Sequence, residues 1–392
     1  MRILHAMPVY APAWQFGGPV LSVSRLCEGL AAAGISVEVL TTNAGLPDLP
    51  AEQLGRPLLR NGVRVTYFPV DRQGGTIRSR SLVEALPEAL QAVDLLHLSA
   101  IWQPLGLPLQ RVAHRLGVPV LHSLRGALGP YSFRRGWWKK LPYYLLRERP
   151  LLQQAAGLHV TSAQEQQELR GLGLKAPRWL LPNPLDLTEL RPDPEQRLRW
   201  RRQLGVTADQ SLLLICGRQH HKKGLDLLPA VLESLRQAPW LLLLVGGDDD
   251  GSGASLIRNL QQLGLGDRLL HQPTLPASEL GGLYNAADLL LLPSRHENFG
   301  NVVLEALACG CAVAISDRTG VAGDLAAGAP AGFGLVLPRR AGAWRAGLGR
   351  WLAAPHRASP AATRWVADRY SQQAVARQAI ELYERILQTQ RC

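Results

Sequence analysis

The apolar residues of this chain come in short, unbroken aliphatic runs, Leu241–Val245 and Leu289–Leu292 among them, set between longer stretches of mixed polarity. A strand that is apolar at every position needs cover on both faces, which a parallel sheet with crossover helices provides and a half-solvated antiparallel sheet does not. The runs fall into two series. The first holds Ile3–Met7, Ile35–Thr41, Val63–Phe68, Leu95–Leu98 and Val118–His122. A helical stretch ends there at Ala31–Ala33, Gly34 suits the left-handed residue that closes it, and the alternation Ile35-x-Val37-x-Val39 follows directly, so this is a βαβ unit. The second series holds Ser211–Cys216, Trp240–Val245, Leu269–His271, Leu289–Leu292 and Ala312–Ser316, with helices over Leu225–Gln237 and Val302–Ala308. Between the two, Leu181-Pro-Asn-Pro-Leu-Asp186 and Arg191-Pro-Asp-Pro194 interrupt every periodic pattern. The expectation is an α/β protein of two Rossmann-like, doubly wound domains, over 1–185 and 186–361, followed by terminal helices over 362–392.

Length agrees, since 392 residues accommodate two or three domains of roughly 100–200 residues. A hydrophobic fraction of 46% against 19% charged excludes a disordered chain. No aliphatic run approaches the ~20 residues that span a bilayer. Met1–Pro8 reaches proline before a signal-peptide core of about 7–15 residues is complete, so cytoplasmic residence is expected. Cys27, Cys216, Cys309, Cys311 and Cys392 are scattered without a C-x-x-C pair, which argues against a disulfide framework or a zinc site. Neither G-x-G-x-x-G after the first strand nor the P-loop pattern occurs, which removes the main support for NAD or P-loop chemistry.

Three segments carry residues suited to a phosphorylated ligand. Gly17-Gly18 precedes a helix, where backbone amides and the helix dipole attract anions, although an ordinary tight loop uses the same pair. Arg218 and Lys223 follow the strand Leu212–Cys216, at the edge of an open parallel sheet where ligands bind, and two cations on one loop suit a diphosphate. The run Pro293-Ser-Arg-His-Glu297-Asn-Phe299-Gly300-Asn301 leads from a strand into a helix carrying Glu305. The amides of Gly300–Val302 form a phosphate-binding terminus, and the two carboxylates accept hydrogen bonds from vicinal hydroxyls.

Taken in order, Gly17-Gly18, Pro182-Asn183, Gly217-Arg218 with Lys223-Gly224, and Glu297-x-Phe-Gly300 with Glu305-Ala resemble the GT-B-fold retaining glycosyltransferases of family four, the glycosyl transferases group 1, over nearly the whole chain. The resemblance implies two domains facing across a cleft, with a nucleotide-diphospho-sugar as donor and no metal or other cofactor required. It puts Arg218 and Lys223 on the diphosphate, Glu305 on the ribose, and Glu297 with Phe299-Gly300 near the transferred sugar. The N-terminal domain then binds the acceptor and the last helix crosses back to it. Where many relatives carry His-Gly, this chain has Arg125-Gly126, with His122 three residues earlier. An arginine is no general base at neutral pH, so Arg125 is expected to stabilise developing phosphate charge.

The formal net charge of +12 is concentrated in part over Tyr131–Arg149, where Arg134, Arg135, Lys139, Lys140, Arg147 and Arg149 mingle with Phe133, Trp137, Trp138, Tyr143 and Tyr144 against the single acid Glu148. Cations beside exposed aromatics suit an anionic membrane surface and a glycan or lipid-linked acceptor, whereas nothing resembles a nucleic-acid module. Asp248-Asp249-Asp250 reads as a solvated acidic turn, and His220-His221 as a pair without a third metal ligand. Two further readings stay open, a catalytically silent glycan- or lipid-binding partner and a GT-B nucleotide-sugar epimerase. The enzyme reading places the chain in cell-surface polysaccharide or glycolipid synthesis.

Overall fold

The computed structural model describes residues 1–71, 76–134 and 136–391. It divides into two compact units, Met1–Pro184 with Gln372–Cys392, and Leu185–Ser371. The terminal segment expected over 362–392 is therefore split: helix Pro360–Tyr370 counts with the second unit and helix Gln372–Arg391 with the first.

The first unit is built on β1 (Arg2–Val9), β2 (Ser36–Thr42), β3 (Pro57–Arg60), β4 (Val63–Phe68), β5 (Leu95–Leu98), β6 (Val120–Ser123), β7 (Gly157–Val160) and β8 (Arg178–Leu180), in the order β3-β4-β2-β1-β5-β6-β7-β8. All neighbours run parallel except β3 and β4. That hairpin turns through Asn61 (φ 46°) and Gly62 (φ 81°), the Asn-Gly pair favoured where both turn residues need positive φ. Sequence reading overlooked β3, β7 and β8, which are short or lie at the sheet's edge. Helix Gly18–Ala32 buries Val20, Val23, Leu26, Cys27 and Leu30. Helix Gln372–Arg391 packs on it closely enough that a Cβ on Gly29 would lie 2.9 Å from the Gln372 carbonyl.

This sheet has a polar interior. His5 on β1 and His97 on β5 are register partners with rings 4.6 Å apart. His97 Nε2 lies 3.1 Å from His159 Nδ1, and Ser123 Oγ is 2.9 Å from the same nitrogen. His159 Nε2 is 2.8 Å from the Leu181 carbonyl and His97 Nδ1 is 2.9 Å from the Tyr383 hydroxyl. A carbonyl only accepts, so His159 carries its proton on Nε2 and His97 on its own Nε2, with both rings neutral. His122 points to the opposite face, fully buried, with neither nitrogen partnered. Burial holds His5, His122 and His159 down to about 3, and His97 well below its ordinary value.

The second unit is built on β9 (Ser211–Cys216), β10 (Trp240–Val245), β11 (Leu269–Gln272), β12 (Leu289–Leu292), β13 (Ala312–Ser316) and β14 (Gly334–Leu337), all parallel in the order β11-β10-β9-β12-β13-β14. Leu212 and Leu214 enter one core with Leu241 and Leu243, whereas Leu213 and Ile215 enter the other with Leu242 and Leu244. Both faces are covered, which is why these strands read as unbroken aliphatic runs. The expected helix over Leu225–Gln237 is a 3-10 turn, Leu225–Leu227, followed by helix Leu228–Glu233. The proline-rich segment also does more than link. Asp193 caps helix Pro194–Gln203 by accepting the Gln196 amide at 2.9 Å, with Pro194 in the first turn, where its missing N–H costs nothing. Arg197 and Arg201 of that helix then donate to Asp288 at 2.6 and 2.9 Å, and Asp288 also accepts the Leu212 amide at 2.8 Å, pinning the helix to the sheet.

The neutral histidines set an acid limit on the first unit. Below the unfolded value of 6.5 the unfolded chain binds protons that the folded unit refuses, so stability is full above 6.5 and lost as pH falls toward about 3. Each histidine contributes about 1.4 kcal/mol per pH unit in that window. Urea unfolding of the parent and of His122→Leu between pH 4.5 and 7 should show the shallower pH slope in the variant.

Candidate functional site

In the second unit β9 is flanked by β10 on one side and β12 on the other, so the chain crosses over there and the loops leaving the carboxyl ends of β9 and β12 diverge from a crevice. The first loop runs through Gly217 (φ 109°) to a 3-10 turn, His221–Lys223, closed by Gly224 (φ 65°). The second is Pro293–Gly300. Lys223 Nζ and Glu297 Oε2 meet across them at 2.5 Å, with both side chains about a quarter exposed. Two of the residues expected on the donor thus form one half-buried ion pair.

The Glu297 loop is held from behind. The Glu297 amide donates to Arg318 at 3.0 Å, and the amides of Gly320 and Val321 donate to Glu297 and Phe299 at 2.9 and 3.0 Å. Gly300 (φ 99°) caps helix Asn301–Ala308, and a Cβ there would lie 2.8 Å from Thr319 Cγ2. The Phe299 ring turns into the core, 6.1 Å from Tyr370, so this residue can offer a ligand only its backbone. Glu305 is buried one turn into the helix, and Tyr284 donates its hydroxyl to Glu305 Oε2 at 3.0 Å. Burial, with the Cys216 and Glu305 charges beside it, raises the Tyr284 hydroxyl well above its ordinary range, so it stays a donor.

Arg218 is three-quarters exposed and donates to Asp249 at 3.3 Å. The register is fixed by the backbone, because Gln219 donates to the Gly247 carbonyl at 2.7 Å and Asp249 to that of Gln219 at 2.9 Å. The acidic turn is accordingly partnered rather than merely solvated. Asp248 accepts the Ala254 amide at 2.8 Å, and Asp250 accepts the His221 amide at 2.9 Å and the Ser252 hydroxyl at 2.5 Å. Asp250 also supplies the third ligand that sequence spacing did not show beside the histidine pair: its Oδ2 lies 2.9 Å from His221 Nδ1 and 3.6 Å from His220 Nε2. It comes from the loop after β10, beyond the reach of a local pattern. With the His221 amide and Ser252 already engaged, this carboxylate ties the acidic loop to the basic one.

In the first unit, Arg125 is half-buried with φ 48°, and its Nη1 donates to Ser22 Oγ at 2.7 Å and Asn183 Oδ1 at 3.0 Å. Ser22 in turn donates to the Gly18 carbonyl at 2.9 Å. The three first-unit motifs therefore converge: the glycine pair, Arg125-Gly126 and Pro182-Asn183. Burial lowers the Arg125 guanidinium to about 10, which leaves it cationic at neutral pH. Glu165, which no motif marked, accepts the Gly126 amide together with the Thr161 amide at 2.7 Å and its hydroxyl at 2.9 Å. Gly17 and Gly18 open helix Gly18–Ala32 at the surface, with nothing within 4 Å of a Cβ on Gly18.

Two parallel-sheet α/β units, with a cation and a carboxylate paired at the crossover of the second, define a GT-B glycosyltransferase. Residues 17–184 match the glycosyl transferase 4-like domain and residues 196–365 the glycosyl transferases group 1. The D-inositol 3-phosphate glycosyltransferase of Kineococcus radiotolerans is 30% identical over 98% of this chain and 94% of its own length. That of Frankia alni is 32% identical over 88% of this chain and 91% of its own. Among solved structures, the sucrose-phosphate synthase of Thermosynechococcus elongatus aligns with a TM-score of 0.74 and 25% identity, over 99% of this chain and 100% of that one. Anabaena Alr3699/HepE in complex with UDP and glucose aligns with a TM-score of 0.73 and 19% identity, over 98% and 100%. The chain belongs to the group 1 glycosyltransferases.

The two glycines at the helix starts differ in what they answer to. Gly300→Ala should cost roughly 1–3 kcal/mol, through its strained φ and the Thr319 clash. Gly18→Ala should move stability by less than about 0.5 kcal/mol. Thermal unfolding of the two variants checks the contrast, and activity lost in a stable Gly18→Ala protein identifies space kept for a ligand.

Proposed function

We propose that this enzyme transfers a hexose-type sugar from a nucleoside-diphosphate sugar to an acceptor hydroxyl with retention of configuration, in the synthesis of a cell-surface polysaccharide or glycolipid. The observation that carries this reading is the meeting of Lys223 and Glu297 at the sheet crossover, beside the helix that starts at Asn301. As the glycosidic bond breaks, negative charge grows on the leaving diphosphate. Lys223 and Arg218 neutralise it, aided by the amides at the start of helix Asn301–Ala308. Glu297, released from Lys223 as the phosphates take over that cation, accepts hydrogen bonds from the transferred sugar. Glu305, held by Tyr284, accepts those of the ribose. Gly17, Gly18 and Arg125 belong to the first unit's part of the site, with Arg125 facing phosphate charge as a fixed cation. These groups supply the neutralisation that a divalent ion would otherwise give, so no metal is required. The neighbours solved with UDP, glucose and UDP-glucose favour a uridine donor. The relatives' name makes D-inositol 3-phosphate an acceptor to test beside lipid-linked ones.

The experiment is a donor screen that follows nucleoside diphosphate release, with water, D-inositol 3-phosphate or membrane-lipid extract as acceptor, before and after exhaustive chelation. Slow donor hydrolysis alone already separates an enzyme from a silent binding partner, and an absolute Mg2+ or Mn2+ requirement overturns the metal-free reading. Arg218→Ala and Lys223→Ala should each lower kcat/KM by roughly two orders of magnitude. Glu305→Gln should raise the nucleotide Kd about 10- to 150-fold, the loss of about 1.5–3 kcal/mol for a charged hydrogen bond, with a smaller effect on the chemical step.

The acceptor reading extends to an anionic membrane surface. Of the aromatics in 131–149, Tyr144 is buried, whereas Trp137 and Trp138 are 61% and 63% exposed and Leu146 75%. Lys139 Nζ lies 4.6 Å over the Trp138 ring. Arg135 lies outside the described residues. No helix among the described residues is long and apolar enough to cross a membrane. Surface attachment would instead combine these apolar side chains with about 1 kcal/mol per nearby cation, screened within a Debye length. Sedimentation with anionic liposomes should therefore weaken as salt rises, and weaken further when Trp137 and Trp138 become Ser. Equal recovery with neutral and anionic vesicles would leave a water-soluble acceptor.

A further inference from the structure

The loop that leaves β5 at the carboxyl edge of the first sheet makes a turn, in which Gln103 donates its amide to the Ala100 carbonyl at 3.1 Å. Trp102 occupies the third position of that turn with φ 62°. This position usually takes glycine, and a bulky side chain there costs on the order of 1–3 kcal/mol unless its surroundings impose the conformation. The surroundings here are specific. The Trp102 amide donates to Glu148 Oε1 at 3.0 Å, and the Trp102 indole Nε1 donates to the Ala127 carbonyl at 2.8 Å. The ring packs edge-on to Phe133 at 5.4 Å and lies 6.0 Å from Tyr143, with Lys140 Nζ 5.6 Å over its centre. Ala127 closes the turn that contains Arg125 and Gly126, by donating its own amide to Leu124 at 3.0 Å. Arg125 is the second non-glycine in the left-handed region within this cluster.

Glu148 is the single acid in the basic aromatic segment, and it is only 4% exposed. It ends a π-helical turn, Tyr144–Glu148, between the exposed helix Trp137–Tyr143 and helix Arg149–Gln153. A wider turn of this kind is costly in isolation and persists where a side chain must be re-aimed. Burial pushes the Glu148 carboxyl up to about 7, and either protonation state leaves an oxygen able to accept the Trp102 amide.

We propose that Glu148 is a positioning residue that holds Trp102 in its left-handed conformation. Through the indole it fixes the Ala127 carbonyl and the Arg125-Gly126 turn, so that the exposed aromatic helices and the Arg125 turn are set as one piece. The functional weight of this strap rests on the assignment of Arg125 to the active site, while the strap itself rests on the contacts above. It explains why one acid persists among so many cations: no neutral apolar residue at 148 would accept the amide of a strained tryptophan.

The test is amide hydrogen exchange on the full-length parent and on Glu148→Ala, Glu148→Gln and Trp102→Phe, with peptides covering 100–104, 124–129 and Ser211–Cys216. Glu148→Ala should speed exchange about 10-fold or more in the first two peptides and leave β9 unchanged. Glu148→Gln, which keeps the acceptor oxygen, should stay within about 3-fold of the parent. Trp102→Phe, which lacks the indole donor but not the backbone amide, should loosen 124–129 alone and serves as the deciding variant should Glu148→Ala fail to fold. Unchanged exchange at 124–129 in both Glu148→Ala and Trp102→Phe overturns the strap, as does loosening of β9 to the same extent or a Gln variant as loose as Ala. UDP-glucose turnover of Arg125→Ala is read separately. Full turnover there removes Arg125 from the active site and leaves the exchange result to decide the strap.

Discussion

The ion pair between Lys223 and Glu297 depends on one topological fact, that β9 sits between β10 and β12. Because the strand order reverses there, the loops after β9 and β12 leave the same edge of the sheet. A lysine and a glutamate far apart in sequence then share a contact that is half out of water. A pair so placed is worth more than a surface salt bridge, yet it is open enough for a diphosphate to displace the carboxylate. The rest of the second unit serves this arrangement. Aliphatic strands covered on both faces give a rigid edge, Gly217 and Gly224 let the first loop turn sharply, and Gly300 lets the second approach Thr319.

The first unit solves a different problem, which is keeping cationic and imidazole groups inside a sheet. Arg125 has two side-chain oxygen partners, Ser22 and Asn183, and the carboxylate of Glu165 holds the backbone of its turn. The histidines of β1, β5 and β7 stay neutral beside it because each proton has a defined acceptor or the ring is too deeply buried to charge. A second buried carboxylate, Glu148, orders the Trp102 loop at the same edge. Positive charge near the site is thus set by fixed oxygens rather than by mobile surface acids.

Much of this was legible before any coordinates. The parallel α/β alternation followed from unbroken aliphatic runs, and the edges of β9, β10, β12 and β13 agree with the runs that foretold them. Hairpin β3–β4 had a local signal that sequence reading passed over, Asn61-Gly62 between two apolar stretches. Helix Pro194–Gln203 had one as well, an aspartate before a proline, hidden by reading the prolines only as breakers. In the tail, residues of similar amphipathic pattern went to different units, because pattern tells that a face is buried and not what buries it.

The sequence by itself determined the class of fold, the two-domain division and the set of cations, carboxylates and glycines that lie at strand ends, since each of these follows from local periodicity and backbone preference. Only the tertiary structure decided which of them touch. Lys223 takes Glu297, Arg218 takes Asp249, Asp250 closes on two histidines, and Glu148 reaches Trp102. It also turned Phe299 into the core and aligned His5, His97 and His159 across three strands. The physical reason is that contacts between distant residues depend on strand order and register. Those are fixed by the packing of whole elements, and no local propensity along the chain encodes them.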